Sequence, residues 1–187
     1  MSERFNTVET EVICWKAFVL DDQIYPLDHL NAHWTEYVDD RDIDHPVPYR
    51  FIVTYGLHCF TKEVENADSE QSRRLIYISP RESRPFNFDR YTLSKQLPDI
   101  IRSLGQKNIL VCHAGYGSFA TVKVVDSRGI EIDYWIVFVV FREKKKFRLH
   151  VTSAYPKSEG IGKIKKVNFF TIASNLLKGK ALPKRQK

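Results

Sequence analysis

The sequence predicts an α+β fold, a mainly antiparallel β-sheet with a helix packed on one face, and three observations carry that prediction. Ser118 to Asp126, Ile130 to Phe141 and Lys146 to Tyr155 are rich in β-branched and aromatic residues. Only Ser127-Arg-Gly and Glu143-Lys-Lys-Lys join them, and strands with connections this short pair as antiparallel neighbours. Tyr49 to Thr61 has the same strand composition, with Gly56 marking a bulge or a close backbone approach. Between these blocks, Arg90 to Leu104 sets Leu93, Leu97, Ile100, Ile101 and Leu104 at helical spacing.

The remaining elements follow in order. Thr10 to Leu20 fits either a strand or a helix, and Leu27 to Asp39 reads as a short helix running into an acidic loop broken by Pro46. Lys62 to Arg74 is a polar loop, and Arg74 to Ser79 a short strand followed by the loop Pro80-Arg-Glu-Ser-Arg-Pro. In the helix, Asp89 is the expected N-cap, Gly105 the C-cap, and Pro98 the site of a kink or break. Asn108 to Cys112 is short and apolar, and Val167 to Leu177 fits a last strand or helix. Residues 1–48 are expected to form an N-terminal extension packed on the main domain, residues 49–177 a single α+β domain, and residues 178–187 a basic tail.

A chain of 187 residues buries one sizeable core. Twenty-four aromatic residues against one Met point to a rigid interior. No apolar run reaches the roughly 18 residues of a membrane span. The opening Met1-Ser-Glu-Arg-Phe-Asn lacks signal-peptide character, so a cytoplasmic location without a membrane partner is expected. Three cysteines, Cys14, Cys59 and Cys112, argue against a disulfide framework.

Charge is uneven. Residues 141–187 carry a net +12 and the remaining 140 residues a net −6. A basic C-terminal part calls for an acidic partner, nucleic-acid phosphate first, with Lys163, Lys165 and Lys166 as contacts. Arg81, Arg84 and Arg90, in a Pro-bounded loop leading to a helix start, form a second phosphate cradle or else neutralise the acidic stretch at 63–70.

Several chemistries fall away. His58-Cys59 and Cys112-His113 are adjacent pairs whose side chains diverge in a strand, and the chain has no C-x-x-C spacing, so no metal is expected. Cys59 and Cys112 sit in apolar stretches that keep a thiol protonated. His113-Ala-Gly-Tyr-Gly-Ser lacks the third glycine of a dinucleotide loop and the Gly-Lys-Ser/Thr of a phosphate loop. No cofactor is expected.

The strand Lys146 to Pro156 alternates, placing Phe147, Leu149, Val151, Ser153 and Tyr155 on one face and Arg148, His150, Thr152 and Ala154 on the other. A guanidinium, an imidazole and a hydroxyl about 6.5–7 Å apart are groups that bind a phosphodiester and move its protons. His58, near the end of the preceding strand, is a second candidate imidazole that opens toward Tyr155.

The ending Val-Thr-Ser-Ala-Tyr-Pro, residues 151–156, resembles the final strands of the barnase/EndoU/RelE-like nuclease superfamily. His58 to Thr61, Arg90 to Ser94 and Ser153 to Pro156 also resemble segments of uncharacterised bacterial mobile-element proteins. The resemblance spans residues 50–156 and implies a metal-independent RNase site containing His58, Arg90, Ser153 and Tyr155, to which Arg148 and His150 are added from strand alternation. The expectation is therefore a ribonuclease-like protein of a toxin or mobile-element context acting on RNA. Its alternative is a non-catalytic nucleic-acid- or protein-binding accessory of a bacterial defence or prophage system, with an antitoxin or defence-complex subunit as the protein partner. A third reading makes it an immunity or antitoxin-like protein using the acidic N-terminal half.

Overall fold

The structure is a computed structural model that describes residues 12–63, 69–107, 109–115, 118–121, 124–125, 131–157 and 165–183. Among these, a first hairpin pairs β1 (Phe18–Leu20) with β2 (Gln23–Tyr25). A 3-10 turn, Asp28–Leu30, leads into β3 (His33–Asp39) and the long β4 (Val47–His58). Helix α1 (Glu70–Arg74) precedes a second hairpin, β5 (Ile76–Ile78) and β6 (Ser83–Pro85). Helices α2 (Phe88–Ser94) and α3 (Leu97–Arg102) follow. Then come β7 (Val111–Gly115), β8 (Ser118–Thr121), β9 (Val124–Val125), β10 (Glu131–Ile132), β11 (Tyr134–Glu143), β12 (Lys146–Pro156) and α4 (Phe169–Leu177).

The main sheet has the strand order β3-β4-β12-β11-β8-β7. The α+β class and the antiparallel run β8, β11, β12 match the sequence expectation. The β11–β12 turn places Lys144 and Lys145 at φ 45° and 70°, a conformation that matches the twist of the flanking strands. One pairing is parallel: β12 lies beside β4, so strands about a hundred residues apart in sequence form the sheet centre.

The segment Leu27 to Asp39 is mostly a strand. Its outward residues Trp34, Glu36 and Val38 alternate with buried Thr35, Tyr37 and Asp39, the period of a half-buried edge strand and not of a helix. Strand β3, drawn from the segment read as an extension, is thus a member of the sheet itself. The expected helix Arg90 to Leu104 is two helices. Lys95 and Gln96 separate them, and Pro98 lies in the first turn of α3, where its missing N–H costs nothing. Asn87 caps α2 in place of Asp89, its side chain accepting from Arg90 N at 2.9 Å. Gly105 serves packing instead of capping, since a Cβ there would lie 2.8 Å from Phe170 Cζ.

The helices cover one sheet face. Phe51, Val53 and Tyr55 of β4, Leu149 and Val151 of β12, and Ile136 and Phe138 of β11 are all fully buried there. Phe169 of α4 packs edge-on against Tyr37, ring centroids 4.6 Å apart. A satellite aromatic cluster beneath the two hairpins joins Trp15, Phe18, Phe60, Tyr77 and Phe86, with Phe18 stacked on Phe86 at 4.2 Å.

Candidate functional site

Strand β12 does not alternate evenly, and that decides where its polar residues point. Val151 pairs with Phe138 of β11, but Ser153 pairs with Val137, leaving Thr152 as an extra residue. The Thr152 hydroxyl donates to Val137 O at 3.2 Å. Beyond this bulge the parity reverses. Ala154, expected on the polar face, is fully buried in the core, and Ser153 and Tyr155, expected beside Leu149 and Val151, lie on the side of Arg148 and His150. His58 joins that face because Ser153 stands opposite it in the β4–β12 ladder.

A cleft of about 190 Å³ opens at the end of β4. Gly56, His58, His150 and Thr152 form one wall, and the turn Ser79 to Glu82 forms another. Ser79 holds the turn, its N–H and hydroxyl both donating to Glu82 O at 3.0 and 2.7 Å. His58 Nε2 lies 2.9 Å from Glu82 Oε1, an imidazole–carboxylate pair of two half-exposed side chains. His150 Nδ1 lies 2.9 Å from the buried Thr54 hydroxyl oxygen. Burial, with Arg148 nearby adding to it, lowers the His150 pKa to about 4, so the ring is neutral at pH 7. Gly56 lets the strands close together: a Cβ there would stand 2.9 Å from Thr152 O.

The other candidates sit elsewhere. Arg90 donates through Nη1 to His58 O at 3.0 Å and Thr61 O at 2.7 Å, clamping the chain reversal after β4. Its guanidinium also lies over the Tyr155 ring, 5.4 Å from the centroid. Tyr155 therefore supports Arg90 and does not line the cleft. Arg148 is only 6% exposed, not a member of a solvated face. Ser153 is half-buried behind His58. Arg81 is exposed at the cleft, whereas Arg84 lies 3.7 Å from Glu63, so of the two roles read for that loop Arg84 takes the neutralising one. Lys165 and Lys166 are exposed beside β7, on its outer edge, five strand spacings or roughly 24 Å from β4. Lys163 lies outside the described residues.

Glu82, Thr54 and Gly56 complete the site. Glu82 carried no periodic or motif signal in the sequence, whereas Gly56 was marked by its place inside a strand. Both central thiols are held protonated by burial, Cys59 pushed up to about 12 and Cys112 raised. Among the described residues no group of three His, Cys, Asp or Glu side chains converges in a way that would hold a metal ion.

The chain matches the YjaZ family across residues 17–177. It belongs to that family. Protein YjaZ of Escherichia coli (strain K12) is 47% identical over 182 residues, covering 96% of this chain and all of that relative. No solved structure matches. The YjaZ match spans the whole of residues 50–156, the stretch on which the nuclease resemblance rested, and no nuclease superfamily matches there. That resemblance is corrected accordingly: it rested on three short segments, whereas the YjaZ match extends over nearly the full chain. Among the described residues, no helix is long and apolar enough to cross a membrane.

Proposed function

We propose that this YjaZ-family protein acts on RNA in the cytoplasm, its cleft carrying metal-independent cleavage of a phosphodiester. The supporting observation is that His58 and His150, on different strands, line one cleft, and that His58 is paired with a carboxylate there. An imidazole held by a carboxylate is an arrangement suited to proton transfer. In the proposed step His58 takes the ribose 2′-OH proton as the 2′-oxygen bonds to phosphorus. The P–O5′ bond breaks, and the same proton is returned to the departing 5′-oxygen, leaving a 2′,3′-cyclic phosphate. Arg81 supplies the cation at the cleft rim, the role expected of Arg90 and Arg148.

Incubation with several RNAs, tRNA among them, in EDTA tests this. Wild-type protein should release 2′,3′-cyclic phosphate ends, and a His58→Ala, His150→Ala double variant should not. Intact RNA after incubation with clean wild-type protein would overturn the reading.

The geometry of Arg90 favours a second reading. With Nη1 committed to two backbone carbonyls and Arg148 buried, the cleft has, among the described residues, one exposed guanidinium, that of Arg81, which suits an accessory that binds nucleic acid or a protein such as an antitoxin or defence-complex subunit without cutting. RNA retained on a filter but left intact would select it.

A further inference from the structure

The helices cover one face of the main sheet, and the cleft opens on the other. That open face carries two tryptophans. Trp34 of β3 points outward and is 46% exposed, while Trp135 of β11, half-buried, points outward between the core residues Tyr134 and Ile136. Each ring is covered by a cation. Arg50 stands opposite Glu36 in the β3–β4 ladder, yet its guanidinium lies over the Trp34 ring, 4.4 Å from the centroid. Lys157 Nζ lies 5.4 Å from the Trp135 centroid. The strand register puts the two rings at opposite ends of the cleft. Trp34 pairs with Ile52, four residues before Gly56, so it lies roughly 14 Å from that glycine. Trp135 pairs with Tyr155, two residues beyond Ser153, and Ser153 stands opposite His58. Two strand spacings across and two residues along put Trp135 roughly 12 Å from His58.

We infer that this face is a path for single-stranded RNA, with Trp34–Arg50 and Trp135–Lys157 as base-stacking platforms on either side of the cleft. The inference rests on reading the protein as acting on RNA, and it extends that reading to the form of the RNA, because only unpaired bases offer a free ring face to stack. An aromatic ring beside a guanidinium or ammonium gives the base a π surface and its phosphate a charge at the same place. Charge complementarity supports this occupant. Arg50, Lys146, Arg148 and Lys157 on this face outnumber Glu36 and Glu143, and Arg81 matches Glu82 at the cleft. The two rings are roughly 25–30 Å apart, three strand spacings over and six to eight residues along. A strand stacked at about 3.4 Å per nucleotide covers that span in about seven to nine nucleotides, with the cleft near its middle.

A single-stranded 2′-O-methyl RNA decamer tests this on the full chain, because without a 2′-OH it reports binding apart from cleavage. It should quench the tryptophan emission of the wild type. In Trp34→Phe protein, whose Trp15 is buried, the quenching that remains reads Trp135, and its absence overturns the Trp135 platform. Trp34→Ala should weaken decamer binding about five- to a hundredfold, the loss of one stacked base, whereas Trp34→Phe should stay within about threefold. Trp34 is exposed, so both variants should keep nearly the wild-type urea midpoint. An abasic decamer, which retains only the sugar–phosphate chain, should bind wild type and Trp34→Ala equally. Equal affinity of those two proteins for the base-bearing decamer, or no quenching of the wild type, overturns the inference. Self-association that Trp34→Ala weakens, without quenching by the decamer, gives the face to a second copy of the chain and overturns it too. Platform-dependent decamer binding together with intact ordinary RNA would remove the ribonuclease reading and leave this one standing. Cleavage of ordinary RNA with decamer affinity untouched by Trp34→Ala would do the reverse.

Discussion

Ser153 of β12 stands opposite His58 of β4, although two positions earlier Val151 stands opposite Tyr55. Three residues of β4 therefore match two of β12, while on the other side one step of β11 matches those same two. The sheet centre is irregular at one point, and the cleft opens there. Gly56 and Thr152 occupy that point, the first without a side chain and the second with its hydroxyl turned onto Val137 O.

Gly56 is a tight spot for any other residue. Its added Cβ would meet backbone oxygens, Thr152 O at 2.9 Å and Val151 O at 3.3 Å, which cannot rotate away. Gly56→Ala should cost about 1–3 kcal/mol in urea unfolding and shift the His150 ring resonances. Wild-type stability with unmoved resonances would show that the two strands separate easily.

Leu149 and Arg148 are neighbours that both lie buried. Leu149→Ala should cost about 2–5 kcal/mol through lost burial and a cavity. Alternation alone predicts a tolerant Arg148, yet at 6% exposure its stem and head are packed, so Arg148→Ala should also cost more than about 1 kcal/mol. Urea midpoints for the two variants check both statements, and an unchanged midpoint for Arg148→Ala would return that residue to the surface.

These cases show what the sequence could reveal. Composition identified β8, β11 and β12, and the two-residue reversal at Lys144–Lys145 identified the β11–β12 pairing, because the forces involved are local. The parallel contact of β4 with β12 has no local signature, since residues about a hundred positions apart carry it. His58 and His150 were visible as chemistry-bearing side chains, but Thr152 broke the period-two count, so the faces assigned to Ser153, Ala154 and Tyr155 came out inverted. Arg90 looked catalytic by type, and only the carbonyls of His58 and Thr61, brought beneath it by the chain reversal, give it a structural partner.

Acid should weaken the fold. His150 titrates at about 4 when folded and at the ordinary 6.5 when unfolded, and His29 and His33 are lowered in the same direction, chiefly by burial. Between those two values the unfolded chain binds protons that the folded chain refuses. The stability contributed by the neutral His150 ring, on the order of 3 kcal/mol, is complete above pH 6.5 and is lost as pH falls through 4. Unfolding in urea at about pH 7, 5.5 and 4.5 should show this fall, and His150→Gln should flatten it. A flat wild-type profile across that window would contradict a buried neutral ring.

Lys165 and Lys166 separate affinity from chemistry. Both are exposed beside β7, tied there by His113 N donating to Lys165 O at 3.1 Å and by the bridge between Cys112 and Lys166. Roughly 24 Å from β4, they are too far to touch a phosphate held between His58 and His150, but within reach of a flanking stretch of the same strand. If they contact phosphates, replacing both by Ser should reduce the slope of log affinity against log salt by about 0.7 per lost contact on single-stranded RNA. Cleavage at saturating RNA should be unchanged, because no group in the cleft is altered. An unchanged salt slope would make the two lysines a solubilising surface, and a fall in the saturated rate would place the reacting phosphate nearer β7 than the cleft geometry allows.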